Sequence, residues 1–359
     1  MMWLFPIVMI ASLAYICWHL WCLLPGAMAW KILVVVSAII WLSMLFVAVL
    51  GKIDRMPMPV ATAVYETGTS SIIILLYVFM AFLLLDVGRL LRLVPKQWLY
   101  NNGYTFLILF VILLALFIYG NIHYNDKYRR ELTLTTTKTL KKPLRIVMLS
   151  DLHLGYHNGR EELHRWINII NAEKPDVVLI AGDIIDMSVR PLQDEHMADE
   201  FQRLNAPVYA CLGNHEYYSG EPAAQRFIYD AGINLLQDEA VEVGDLCIIG
   251  RDDRTNCSRI PLNELVKNID KDKYSILLDH QPYCLEQAEK AGVDFQFSGH
   301  THYGQIWPVS WITDAIYECA FGQHQRGNTR YYVSSGMGIW GGKYRIGTCS
   351  EYVVAELRN

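Results

Sequence analysis

The chain has 359 residues, 53% of them hydrophobic and 19% charged, with a formal net charge of −5. Residues 1–122 hold nine charged side chains and residues 123–359 hold 58, which excludes a uniformly soluble globule, a disordered chain and a collagen-like one. From residue 143 onward 31 Asp and Glu face 19 Lys and Arg, a net −12 that repels a polyphosphate backbone, so no nucleic-acid partner is expected.

The first elements are apolar. Residues 3–24, 32–50, 70–85 and 104–119 are uncharged runs, and about 20 apolar residues cross a bilayer as a helix. The run at 70–85 is short and extends past Val87 if Asp86 and Arg89 sit at the interface. An all-α membrane region of about four helices over residues 1–122 is expected, which makes the chain a multi-pass cell-membrane protein. A cleaved signal peptide fits poorly, because no basic stretch precedes the first run and further runs follow it. Trp18, Trp21, Trp30, Trp98 and Tyr100 fall near the expected ends, where amphipathic rings favour the headgroup layer. His19 and Asp86 are polar intruders. Asp86 is expected to pair with Arg89 at i,i+3 near a helix end, with a buried proton or ion site as the alternative. Six Lys and Arg flank the spans on the side of the large domain and four on the other, which leaves the side of the membrane open.

Residues 123–142 read as a polar, basic connector with an edge strand over 131–140. Roughly ten residues of it remain as free tether, a short reach on a flexible-chain estimate. Beyond it, strands are read at 144–150, 176–182, 207–213, 246–250, 275–279, 294–299, 331–336 and 351–357, with helices at 163–170 and 223–229. Strands alternating with helices argue for an α/β layered domain over residues 143–359 with both sheet faces covered. None of the eight cysteines forms a CxxC; the six in this domain are either free thiols or three disulfides.

Chemistry collects at the strand ends. The first strand ends in SDLHLG with Asp151 and His153, the second in GDIID with Asp183, and the third in GNHEYY with Asn214 and His215. SILLDHQP supplies His280, and FSGHTHYGQ supplies His300 and His302. Ligands on open α/β sheets gather beyond the carboxyl ends of strands. Carboxylate, amide oxygen and imidazole, with no thiolate, suit two divalent ions such as Mn, Fe, Zn or Co. Two such ions activate water and hold phosphoryl oxygens. The glycines before Asp183, Asn214 and His300 allow tight turns and close approach.

The ordered set DxH, GD, GNH, a lone His and GHTH resembles the calcineurin-like metallophosphoesterase superfamily over about residues 144–306. The ending RIG…E (Arg345 to Gly347, Glu351) resembles its membrane-associated bacterial branch. The resemblance implies a two-sheet metallophosphoesterase sandwich flanked by helices. It implies Asp151, His153 and His302 as ligands of a first metal, Asp183 as a bridging ligand, and Asn214, His280 and His300 as ligands of a second. It implies that His215 contacts the phosphoryl group or protonates the leaving oxygen. The family's usual GHTHGGQ has Tyr303 here in place of a Gly, a ring that narrows the site or stacks on a substrate. Asp186 reads as a helix cap or loop acceptor, and Asp279 as a supporting or structural residue. His157, His164, His196 and His324 have no motif support.

The expectation is a membrane-anchored, metal-dependent phosphohydrolase. It would act on a phosphomonoester, phosphodiester or pyrophosphate bond of a phosphorylated small molecule or lipid, including a nucleotide-linked lipid, with membrane lipid as its partner. A noncatalytic metal-retaining sensor and a transporter with a regulatory domain are the competing classes. No ligand of the set is missing, and neither paired intramembrane charges nor broken helices are evident.

Overall fold

The computed structural model describes residues 4–50 and 52–359. The chain forms two compact units, Met1–Ile122 with Gly341–Lys343, and His123–Trp340 with Tyr344–Asn359.

The helical unit contains α1 Leu4–Leu23, α2 Met28–Val49, α3 Met58–Leu90 and α4 Gly103–Asn125. Among the described residues α2, α3 and α4 are long and apolar enough to cross a membrane, while α1 contributes a shorter apolar stretch, Ile7–Leu23. Trp3, where the first expected span begins, lies outside the described residues. Helix α3 has 33 residues and starts well before the uncharged run at 70–85. One Glu interrupts hydropathy without breaking a helix, and Pro59 in the first turn favours a start there. Gly68 lets α3 press on α2, since a Cβ there would lie 2.7 Å from the Leu45 amide nitrogen. The expected Asp86–Arg89 pair is corrected. Asp86 Oδ2 accepts from the Tyr15 hydroxyl at 2.8 Å and lies 3.0 Å from His19 Nε2, while Arg89 sits over the Tyr100 ring. Interhelical packing brings α1 to Asp86 and overrides the local spacing.

In chain order the strands are β1 Lys127–Thr135, β2 Leu144–Leu149, β3 Val177–Ala181, β4 Val208–Cys211, β5 Asn234–Leu235, β6 Glu239–Val243, β7 Leu246–Gly250, β8 Tyr274–Leu278, β9 Phe295–Ser298, β10 Gly322–Arg326, β11 Thr329–Val333 and β12 Ser350–Arg358. The remaining helices are α5 Arg160–Ala172, α6 Arg190–Asp194, α7 Ala198–Phe201, α8 Asn214–Tyr218, α9 Glu221–Asp230, α10 Leu262–Leu265, α11 Glu286–Ala291 and α12 Val309–Ile316. One six-stranded sheet has the order β1-β12-β2-β3-β4-β5, the other β10-β11-β9-β8-β7-β6.

Alternate residues explain the unbroken apolar runs. Ile146, Met148, Val177 and Leu179 join Ile248, Ile276, Phe295 and Phe297 in one core. Their neighbours Val147, Leu149, Val178 and Ile180 pack instead with Leu163, Trp166 and Ile167 of α5 and Phe227 of α9. Strands β2 and β3 thus bury both faces, the pattern of a covered parallel sheet. The two-sheet sandwich flanked by helices is the fold expected from the sequence.

Two local expectations change. The free tether is absent: α4 runs to Asn125 and β1 starts at Lys127, pairing in parallel with β12. Strands β6 and β10 were not legible, because they are polar, half-exposed edges with little apolar signal, and the eight-residue helix α12 was not read either. All eight cysteines are free.

Candidate metal centre

Five parallel strands deliver the candidate residues. Strand β2 leads to Asp151 and His153, β3 to Asp183, β4 to Asn214 and His215, β8 to His280, and β9 to His300 and His302. Backbone bonds join these loops: the Asp151 N–H donates to the Gly182 oxygen at 3.1 Å, His153 N–H to Asp183 at 3.0 Å, and Gly299 N–H to His280 at 2.9 Å. Asp151 (φ 54°), His153 (45°), Asp183 (52°), His300 (71°) and His302 (47°) all lie in the left-handed region. That region is sparsely populated for residues with a Cβ, and such strain collects at functional sites. Gly182 (φ 73°) needs its freedom outright. At Gly213 the limit is space, because a Cβ would lie 2.2 Å from Asp183 Oδ1.

The side chains form groups whose donor atoms lie within 4.8 Å of one another: Asp151, His153 and His302; Asp183, His280 and His300; and His153, Asp186 and His215. One oxygen connects the first two groups. Asp183 Oδ2 lies 3.1 Å from His280 Nε2 and 3.6 Å from His153 Nε2. His153 Nε2 and His302 Nε2 are 3.0 Å apart. Asn214 Oδ1 is buried with no hydrogen-bond partner, a state that a buried amide oxygen seldom tolerates unless something else satisfies it. Imidazole nitrogens and carboxylates converging this closely, beside an orphaned oxygen, suit cations.

Hydrogen bonds orient the imidazoles. The His280 Nδ1–H donates to the Ala181 carbonyl at 2.8 Å, which turns Nε2 toward Asp183 Oδ2. Burial opposes a charge on this ring, but Asp183 and Asp151 raise it well above its ordinary value, and a cation bound there would displace that proton. His153 Nδ1–H donates to Asp186 Oδ1 at 3.1 Å, leaving Nε2 on the Asp183 side. His215 Nδ1 lies 3.2 Å from the Asp186 carbonyl and 3.4 Å from its carboxylate.

Burial opposes the charge on Asp183, but His280, His215 and His153 hold its carboxyl well below the usual range. Burial pushes Asp151 up, and Asp183 adds to it. Burial and the neighbouring His280 bring His300 down to about 4, and burial with His153 holds His302 well below its ordinary value. Both are therefore neutral near pH 7, as metal ligands must be. His215 is the reverse case: burial opposes its charge, yet Asp183 and Asp186 raise it to about 9. It carries a proton at neutral pH.

Three contributors have no site role in the sequence reading, where Arg345 is named only as part of the RIG…E ending. Asp186, read as a cap or loop acceptor, is a buried carboxylate positioning His153 and His215; the signal was its spacing in GDIID. Glu216, the residue after His215, accepts from the backbone N–H groups of Gly213 (2.7 Å), Asp183 (3.0 Å) and Ile185 (2.9 Å). Arg345 is fully buried and donates to the backbone oxygens of His302 (2.7 Å) and Gly338 (3.2 Å). Tyr303 stacks on Phe321 with centroids 4.9 Å apart and donates to Asp314. Asp279 is held by Arg251 and Arg259.

Carboxylates, imidazoles and an amide oxygen at the converging strand ends of such a sandwich are the fold and donor set of a metallophosphoesterase. Residues 144–304 match the calcineurin-like phosphoesterase family. An uncharacterized metallophosphoesterase of Aquifex aeolicus is 32% identical over 237 residues, which cover 62% of this chain and 90% of that one. An uncharacterized metallophosphoesterase of Campylobacter jejuni is 34% identical over 226 residues, covering 61% of this chain and 60% of its own. A Danio rerio transmembrane protein with metallophosphoesterase domain is 31% identical over 227 residues, covering 58% and 52%. The chain belongs to the calcineurin-like phosphoesterase family. It spans little more than half the length of the last two relatives.

Proposed function

We propose that the chain is a membrane-anchored phosphohydrolase working with two divalent ions. The observation that carries this reading is the single Asp183 oxygen facing His280 on one side and His153 on the other. Asp151, His153 and His302 would hold one ion, Asn214, His280 and His300 the other, and Asp183 both. Two ions there supply the positive charge that a phosphoryl group requires and activate water at neutral pH. His215 is protonated, and with Nδ1 turned to Asp186 it keeps Nε2 to give a proton to the leaving oxygen. Asp186 fixes that ring, and Glu216 holds the two loops that carry Asp183 and Asn214. The substrate class is a phosphomonoester, phosphodiester or pyrophosphate. Candidate membrane-crossing helices in the same chain favour a lipid-linked or nucleotide-linked lipid phosphate.

The test uses full-length protein stripped with chelator and reloaded with Mn. Hydrolysis of p-nitrophenyl phosphate and bis-p-nitrophenyl phosphate should vanish and return, with about two ions bound per chain at saturation. Full activity in metal-free protein, or saturation at one ion, overturns the reading.

A further inference from the structure

The turn that follows His302 leads into α12, whose outward face is apolar. Trp311 is 65% exposed, Ile312 58%, Ile316 56%, and Trp307 just before the helix 41%. Four large apolar side chains exposed within ten residues exceed the scattered exposures of an ordinary surface. No Lys or Arg occurs from Ile306 to Ile316, and the only acid there, Asp314, accepts from the Tyr303 hydroxyl at 3.3 Å.

This face is rigidly attached to the metal centre. Gly304 sits so close to α12 that a Cβ would lie 2.4 Å from the Ser310 nitrogen. The Trp307 N–H donates to the Ile346 oxygen at 2.7 Å, and the Thr348 hydroxyl donates to the Gln305 oxygen. Arg345, in the same segment, donates to the His302 backbone oxygen. The apolar face and His302 therefore move as one body.

We propose that this face docks on the surface of a lipid bilayer, with Trp307, Trp311, Ile312 and Ile316 seated at the boundary between headgroups and acyl chains. The occupant follows from the chain itself. Helix α4 is long and apolar enough to cross a membrane, and Asp126 alone separates its last residue from strand β1. A bilayer is thus within reach of the α/β unit at all times, which raises its effective concentration over any free protein partner. Two indoles, edge-on at 5.4 Å, with two isoleucines make the mixture that favours the interfacial layer. The lack of basic residues fits zwitterionic lipid and removes any need for anionic headgroups. Docking there sets the metal centre beside the lipid headgroups. That consequence rests on the proposed hydrolase reading; the docking itself does not.

The test uses full-length protein in dioleoylphosphatidylcholine proteoliposomes. Benzoylphenylalanine is introduced at Ile312 and, separately, at Tyr229, which is 61% exposed on α9. After irradiation, mass spectrometry should find lipid adducts at position 312 at least about fivefold above those at 229. Equal yields, or adducts at 312 to protein alone, overturn the proposal. Adding Trp311→Asp should cut the lipid adduct at 312 by about fivefold while p-nitrophenyl phosphate turnover per bound ion stays within about twofold. An unchanged adduct yield in that variant also overturns it. If Trp311→Asp fails to fold, the comparison of 312 with 229 decides alone. Loss of hydrolysis with intact lipid adducts would count against the catalytic reading and leave the docking standing.

Discussion

Replacing Glu216 with Gln probes whether the two loops behind the metal centre are held by one buried charge. Glu216 Oε1 accepts the Ile185 N–H at 2.9 Å, and Oε2 accepts those of Asp183 at 3.0 Å and Gly213 at 2.7 Å. Burial pushes this carboxyl up, and the Asp183 carboxylate adds to it, so part of the charge is unfavourable already. Glutamine keeps one oxygen. Whichever way its amide turns, an NH₂ meets at least one backbone N–H, leaving a buried donor unsatisfied at a cost of about 1–3 kcal/mol. The bonds that survive lose their charge assistance, roughly half their strength. Relief of repulsion with Asp183 offsets some of this, and a net loss of about 2 kcal/mol remains. For a domain of this size that lowers Tm by roughly 4–8 °C. The displaced Asp183 loop should also weaken metal binding, which Glu216→Ala should worsen by leaving more donors unpaired. Thermal melting of the full-length protein in detergent, with metal analysis of the same samples, measures both effects. A Glu216→Gln protein melting within about 1 °C of wild type, with unchanged metal content, refutes the reasoning.

His215→Ala should lower turnover by about 10²–10⁴-fold with metal content near normal, and loss of both ions would show the role to be wrongly assigned. Asp183→Asn should reduce bound metal, because a neutral amide bridges two cations poorly; retention of both ions in dialysed protein contradicts the bridge. Asp186→Asn should slow turnover more than it raises KM, since it disturbs the rings of His153 and His215 rather than substrate contacts; a pure KM effect argues against positioning. Glu200 gives a pH test. Burial opposes its charge, but Arg203, Arg160 and His164 hold its carboxyl below the ordinary value of 4.5. A lowered carboxyl stabilises above the unfolded value and loses that contribution as pH falls through the folded one. Glu200→Gln should therefore melt below wild type at pH 7, with the gap narrowing once the pH drops under 4.5. A gap that widens in acid contradicts the pairing.

The family was legible in the sequence because its signature is local. Asp151, Asp183, Asn214, His280 and His300 each follow a strand within a few residues, so an ordered run of strand-end motifs survives without knowledge of the pairing. The sandwich was legible for a related reason: strands buried on both faces read as continuous apolar runs. Position along the chain also marked the apolar helices, although the full length of α3 did not show, since Glu66 breaks a hydropathy run but not a hydrogen-bonded helix. What the sequence left undecided was which donors face which acceptors. Asp186 meets His153 from 33 residues away, Arg345 reaches the backbone of His302 from 43, and Asp86 finds His19 from 67. The work of a buried carboxylate or guanidinium is defined by the groups that close around it, and these come from separate strands and helices. Only tertiary packing assembles them.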